Sequence, residues 1–433
     1  MHRFFNFFFI IISSLLFLYL FYRSEIIWSG NRREYYYIYY VVSIILIIFS
    51  LIFIYTSSII KTYIIIIFFS TLVSLYSYEA YLNLPNDSAK RKKIKLYKES
   101  GKDFDTRTVR QVYDDLKKND PSASVKVSPS EYLKLKNKDI EIYPLSGVSN
   151  SQTVYQNENG YYMIYMSDRY GFNNPDKEWN SQEIEYLLIG DSFAHGAAVN
   201  RPDDIASQLR ILSSKNVLSL GYSANGPLIE YAALREYAPK NIKNIIWLFT
   251  ENDIPGLGYE LENKILIKYL KDLKFTQNLK SRQDEVDRFA RKMISTTPKI
   301  DQQFKFFRFL KIYETRKLLL KQDVIGKSYS LKNQTELIKI IKLAKEYAKN
   351  IDADFYFVYM PVEKFFNKNY DPSNYEATKK IIKSLNINFI DIHNVFDRED
   401  NPLDLFPFKM FNHYNPEGYR KVAKEIFDLT IDK

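Results

Sequence analysis

One serine and two amide donors stand out in this sequence because each follows an apolar run at a point where a strand should end, and one histidine because it lies in a loop just before a helix. In IEYLLIGDSF, the residues Ile184, Tyr186, Leu187, Leu188 and Ile189 form a short, nearly continuous apolar run that stops at Gly190. Such a run reads as a strand buried on both faces. Ser192 follows in a polar turn, at the edge where open α/β sheets bind ligands, so its hydroxyl is a candidate nucleophile. A serine hydroxyl is weak by itself and needs both a base and donors for a developing oxyanion. The bases on offer are few: His2, His195, His393 and His413. His413 lies in NHYNPEGYRKVA, in a loop just before a helix that starts near Pro416. A loop there can swing a side chain over the sheet edge from the far end of the chain. His195, three residues after Ser192, reads as packing or capping the turn, and His393, beside a strand, reads as structural.

The donors follow two further apolar runs. After residues 217–220 the chain reads GYSANGP, a tight turn in which the backbone amide of Ala224 is best placed to face an oxyanion. After residues 242–249 it reads TENDI, where Asn252 offers a neutral side-chain amide at the same edge.

These residues need a sheet to gather them. Past Ser192 a helix is expected over 202–212, a strand at 217–220, a helix at 227–237 and a strand at 242–249. A helix at 334–349, a strand at 354–360, a helix at 375–385, a strand at 387–390 and a final helix after Pro416 complete the series. Strands alternating with helices imply a parallel sheet with helices on both faces. Between Asp253 and about residue 330 lies a charged helical insertion, containing 260–291 and 302–321. It follows a strand end beside the proposed site and is expected to act as a lid or a partner surface.

The N-terminal part is of another kind. Residues 4–22, 35–60 and 62–78 are apolar enough, and for the most part long enough, to cross a bilayer, with Lys61 alone between the last two. No small-residue cleavage pattern follows the first, so three uncleaved transmembrane helices are expected rather than a secretory signal. Tyr35, Tyr36, Tyr37, Tyr39 and Tyr40 suit an interfacial belt. Lys90, Arg91, Lys92, Lys93, Lys95 and Lys98 follow closely, and such charges contribute about 1 kcal/mol each near anionic headgroups. A short helix at 109–118 and a covering extension over 120–182 lead into the sheet. The expected division is 1–80 transmembrane, 81–182 basic linker and extension, and 183–433 catalytic, with the insertion at about 254–333.

Composition narrows the function. The 433 residues include no cysteine, which excludes thiol catalysis, disulfides and thiolate metal sites. The net charge of +10 comes without the basic-aromatic interleaving of a nucleic-acid surface, so membrane lipids are the expected anionic partner. Neither metal nor cofactor is expected. Positive charges near the spans place the catalytic part at the cytoplasmic face.

Taken in order, Gly190, Asp191, Ser192 and Phe193, then LGYSANGP, then Glu251, Asn252 and Asp253, then His413 with Asn415 and Gly418, resemble the four sequence blocks of the SGNH, or GDSL-type, hydrolase family. The resemblance covers roughly 183–253 and 334–433. It implies a flavodoxin-like α/β fold and ester hydrolysis or O-acyl transfer. It further implies Ser192 as nucleophile, His413 as base, and an oxyanion hole from the amides of Ser192 and Ala224 with the side chain of Asn252; Gly190, Asp191 and Asp253 support them. Two departures stand out. The family has glycine where this chain has Ala224, and it has an aspartate three residues before the histidine, where this chain has Met410. Either a main-chain carbonyl within 405–411 orients His413, or Asp404 reaches it, or activity is low. A degenerate domain serving as a membrane-tethered scaffold is the alternative reading. Membrane-anchored members of the family more often face outward, against the charge rule.

Overall fold

The fold is that of a computed structural model, which describes residues 2–27, 30, 33–84, 94–95, 97–99, 101, 104–134, 141–319, 333–367, 370–409 and 413–431. Lys90 to Lys93 of the basic cluster therefore lie outside the described residues. The chain divides into two compact units: Met1–Asn86 with Lys305–Lys321, and Asp87–Phe304 with Gln322–Lys433.

The first unit holds three helices long and apolar enough to cross a membrane, α1 (His2–Phe21), α2 (Arg33–Tyr55) and α3 (Ser58–Asn83). The break between the last two falls at Thr56 and Ser57, where Ser57 caps α3, and not at Lys61 as the charge pattern suggested. Lys61 lies in the first turn of α3 and donates to the carbonyl of Ile54 at 2.8 Å. That bond satisfies an orphan carbonyl at the end of α2 and lets the cation sit among apolar residues.

In the second unit, α4 (Val109–Asn119) is set by a capping box, with Thr108 and Gln111 satisfying each other's backbone donors. A small sheet follows, made of β1 (Ser124–Val125), β2 (Gln152–Asn157) and β3 (Tyr162–Met166), with β2 and β3 antiparallel. The main sheet has five parallel strands in the order β5–β4–β6–β7–β8: Val217–Ser219, Ile184–Gly190, Ile242–Phe249, Asp354–Tyr359 and Asn388–Asp391. Counted along the chain this is 2-1-3-4-5, the flavodoxin-like order, whose switch point flanks the first strand, here β4.

The alternation along each strand explains the layers. Leu187 and Ile189 of β4, with Ile245, Trp247 and Phe249 of β6, face a core closed by α7 (Pro227–Tyr237) and α12 (Gln334–Asn350). Leu188 and Tyr186, with Ile246 and Leu248, face the opposite core, closed by α6 (Ile205–Ser213) and α15 (Pro416–Thr430). Both faces are covered, so the strands read as continuous apolar runs. Tyr132, Tyr143, Leu145 and Phe172 of the extension are fully buried in the first of these cores, making the extension part of the second unit's interior.

The insertion contains α8 (Asp253–Leu261), α9 (Leu266–Lys271), α10 (Gln283–Leu310) and α11 (Tyr313–Leu319). Residues 305–319, expected beside the site, belong instead to the unit of apolar helices. Their anchor there is Glu79 of α3, which is fully buried. Its carboxylate accepts from the backbone N–H groups of Glu314 and Thr315 at 3.1 and 2.8 Å, and from the Thr315 hydroxyl at 2.8 Å.

Candidate functional site

The turn after β4 is shaped by a close approach. Gly190 has φ +147°, and a Cβ there would stand 2.4 Å from the carbonyl oxygen of Leu248 on β6, so only glycine fits. Asp191 then caps the short helix α5 (Ser192–His195): its Oδ1 accepts from the Phe193 N–H at 2.9 Å. Its Oδ2 lies 3.1 Å from the Ser192 hydroxyl. The turn holds Ser192 at the switch point of the sheet, 8% exposed.

His413 arrives from the other end of the chain. Asn415 caps α15 through the Gly418 N–H, and its side-chain amide donates to the carbonyl of Asp404 at 2.7 Å, fixing the loop before the helix. The ring packs against Phe193 at 5.1 Å between centroids. Its Nε2 stands 2.8 Å from Ser192 Oγ. The opposite nitrogen, Nδ1, faces the carboxylate of Glu158, 3.0 Å from each oxygen. Only 12% of the His413 side chain and 14% of the Glu158 side chain are exposed. An ionised carboxylate accepts only, so Nδ1 carries the proton and Nε2 is left to take one from the serine. Burial alone would disfavour the imidazolium, but the charge and hydrogen bond of Glu158, with the charge of Asp191, raise the His413 pKa above the ordinary histidine value.

Glu158 is the group the sequence reading did not find. It sits in the turn of the β2–β3 hairpin, where Asn157 Oδ1 accepts from the Gly160 N–H at 2.9 Å. Gln156 donates to its Oε1 at 3.0 Å, and Asn159 ties the turn to the carbonyl of Ala198 at 2.8 Å. The hairpin thus lays the extension against the loops that carry Ser192 and His413. Asp404, offered as a replacement acid, instead pairs with Lys409 and is 56% exposed. Met410, Phe411 and Asn412 lie outside the described residues.

The remaining candidates fall as follows. Ala224 is exposed in the loop after β5 and has φ +59°, the left-handed region that costs a residue with a Cβ about 1 kcal/mol. Ala224→Gly is expected to stabilise the protein by about 1 kcal/mol, less what glycine's freer unfolded chain takes back. A thermal melt of the full chain that rises by roughly 2 °C would bear this out, and an unchanged or lower Tm would contradict it.

Asn252 is exposed where β6 meets α8 and makes no capping bond with its side chain. Asp253 turns inward and accepts from the Thr250 N–H at 2.9 Å. Burial, with Asp191 and Glu230 near it, raises its pKa. His195 is buried and accepts from the Ser223 N–H at Nδ1, 3.3 Å away, which leaves Nε2–H for the Tyr165 hydroxyl at 2.9 Å. Burial and the charges of Lys126 and His413 push it down to about 3, so it stays neutral and holds the loop that carries Ala224. Tyr155 of β2 bonds the Ser223 hydroxyl in the same loop. His393 packs on Phe365, in keeping with a structural role.

Geometry therefore defines a parallel α/β protein with a Ser–His–Glu line at the switch point of its sheet. No family model matches the chain, and no curated protein does. Solved structures do resemble it. A protein of the G-D-S-L family from Desulfitobacterium hafniense aligns at 14% identity and a TM-score of 0.33, covering 57% of this chain and 99% of that one. The acetyl xylan esterase AlAXEase aligns at 12% identity and a TM-score of 0.34, over 57% and 100%. Axe2, an acetylxylan esterase from Geobacillus stearothermophilus, aligns at 14% identity and a TM-score of 0.31, over 57% and 94%. At these values the chemistry has to be argued from the site itself.

Proposed function

We propose that this chain is a membrane-anchored serine ester hydrolase or O-acyltransferase. The observation that carries the reading is the unbroken line Glu158 carboxylate, His413 imidazole, Ser192 hydroxyl, with 3.0 and 2.8 Å between them. Ser192 Oγ attacks the ester carbonyl as His413 Nε2 takes its proton, and Glu158 stabilises the imidazolium that forms. The amides of Ser192 and Ala224 and the side chain of Asn252 receive the oxyanion. His413 returns the proton to the departing alkoxide, leaving an acyl-serine. Water resolves it in hydrolysis, and the hydroxyl of an acceptor resolves it in transfer. The substrate is a carboxylic ester, on a glycan or a lipid, and the three apolar helices hold the enzyme at the membrane.

The scaffold alternative drew its support from a missing orienting carboxylate, and the place of Glu158 weakens that support. Fluorophosphonate labelling of the full-length protein separates the two readings. Ser192 is expected to be labelled and the Ser192→Ala variant not; a folded wild-type protein that resists the probe is the scaffold's result. Within the enzyme reading, Asn252→Ala is expected to lower kcat by 10²–10³, about 2.7 to 4 kcal/mol of lost transition-state stabilisation, with little change in KM. Steady-state kinetics on an acyl ester would show this, and a change confined to KM would remove Asn252 from the oxyanion hole.

A further inference from the structure

We infer that residues 305–319, the far end of the insertion, form a lipid-binding element that lies in the headgroup layer beside the apolar helices. The inference rests on those helices spanning a bilayer. Four contacts fix the segment to one end of the bundle. Tyr76 of α3 donates to the carbonyl of Leu310 at 2.8 Å, and Glu79 of α3 holds the start of α11. Lys311 donates to the Tyr19 hydroxyl near the end of α1 at 3.0 Å. Arg316 stands over the ring of Tyr39, near the start of α2, at 5.3 Å. The ends of α1 and α3 and the start of α2 lie together in an antiparallel bundle. The bond of His2 to Thr62, 3.1 Å, marks the opposite end.

What the segment leaves uncovered is apolar. Phe306, Phe307, Leu310 and Leu318 are 59, 54, 45 and 56% exposed, comparable to side chains on the spans such as Ile67 at 63%. The same fifteen residues carry Lys305, Arg308, Lys311, Arg316 and Lys317 against a single acid, Glu314, which Arg308 already engages. Aromatic and leucine side chains set among basic ones, at the level of interfacial tyrosines, match the headgroup–acyl boundary of an anionic leaflet. A second protein would have to cover the same side chains at the depth where lipid is already present.

The chain has no cysteine, so single cysteines can carry nitroxide labels in the otherwise native protein. Phe306→Cys, Phe307→Cys and Leu318→Cys would be labelled in the full chain and reconstituted into phosphatidylglycerol–phosphatidylcholine vesicles. Ile67→Cys on α3 serves as the lipid-facing reference. Leu429→Cys, 46% exposed on α15, serves as the aqueous reference. The ratio of oxygen to nickel-chelate accessibility is expected to be several-fold higher at all three positions than at 429, approaching that at 67. Ratios equal to the 429 value at any of the three, with 67 high, overturn the lipid face while leaving the spans intact. A low ratio at 67 itself overturns the membrane reading and this inference together.

Discussion

Ser192→Ala and His413→Ala are each expected to remove nearly all ester turnover, about 10⁶ in kcat, with the double variant little worse than either. The reason is that neither group works alone. Without His413 the Ser192 hydroxyl is left, among the described residues, with Asp191 Oδ2 3.1 Å away, a carboxylate buried beneath the turn and engaged with the Phe193 N–H. Without the Ser192 hydroxyl, the imidazole has nothing to activate. Activity left in either variant would come from the oxyanion donors and binding alone, which in a serine protease supply about 10³–10⁴ over water. The check is a double-variant cycle on kcat with a chromogenic acyl ester. If the two losses multiplied, the residues would act independently and the proposed line of proton transfer would be wrong.

Much of this arrangement was legible because its signals are local. The run from Ile184 to Ile189 marks β4, and the residues that end it, Gly190 to Ser192, are adjacent in sequence, so the nucleophile's place could be read without knowing the fold. Helices α7 and α12 and strands β6 and β7 fall where their periodicity and turn residues put them, within a residue or two. Ala224 shows the limit of that reading. Its block was visible, but its φ of +59° belongs to a loop held from beneath by His195 and Tyr155, which lie in other elements.

Tertiary features were harder. Nothing in KFFRFLKIYE announces that Thr315 will meet Glu79, 236 residues away. An acid at the end of an apolar span reads as a boundary marker, whereas Glu79 accepts from the backbone of Glu314 and Thr315. Glu158 was hidden for a related reason. In QNENGYY it has the look of a solvated hairpin turn, Asn and Gly being there for backbone reasons, and it lies 255 residues from the histidine it faces. The one usable signal was the pairing of QTVYQN with YMIYM around that turn, which implies a rigid hairpin able to hold an acid in place.

Glu158→Gln is expected to lower kcat by about 10⁴, the loss seen when the corresponding acid of a serine-protease triad becomes an amide. Gln keeps the length and the hydrogen-bonding capacity toward Gln156 and Nδ1, but it removes the charge and can present a donor to a nitrogen that must itself donate. The pH profile supplies the sign. The reaction needs neutral His413, whose pKa lies above the ordinary value because Glu158 and, less strongly, Asp191 outweigh burial and the opposing charge of Lys126. The acidic limb of kcat/KM in the wild type should therefore fall above about pH 6.5, the ordinary histidine value. In Glu158→Gln it should move to lower pH while the plateau collapses. A residue that merely supported the fold would lower the plateau by reducing the amount of native protein and leave the limb where it was. Glu158→Asp, which keeps the charge on a shorter arm, should recover part of the lost rate. So should Met410→Asp in the Glu158→Gln background, because it returns an acid to the spacing the resembled family uses. If the limb stayed fixed in Glu158→Gln and kcat fell less than tenfold, Glu158 would be a neighbour of the histidine and not its orienting acid. Ser192 and His413 would then have to work as a pair.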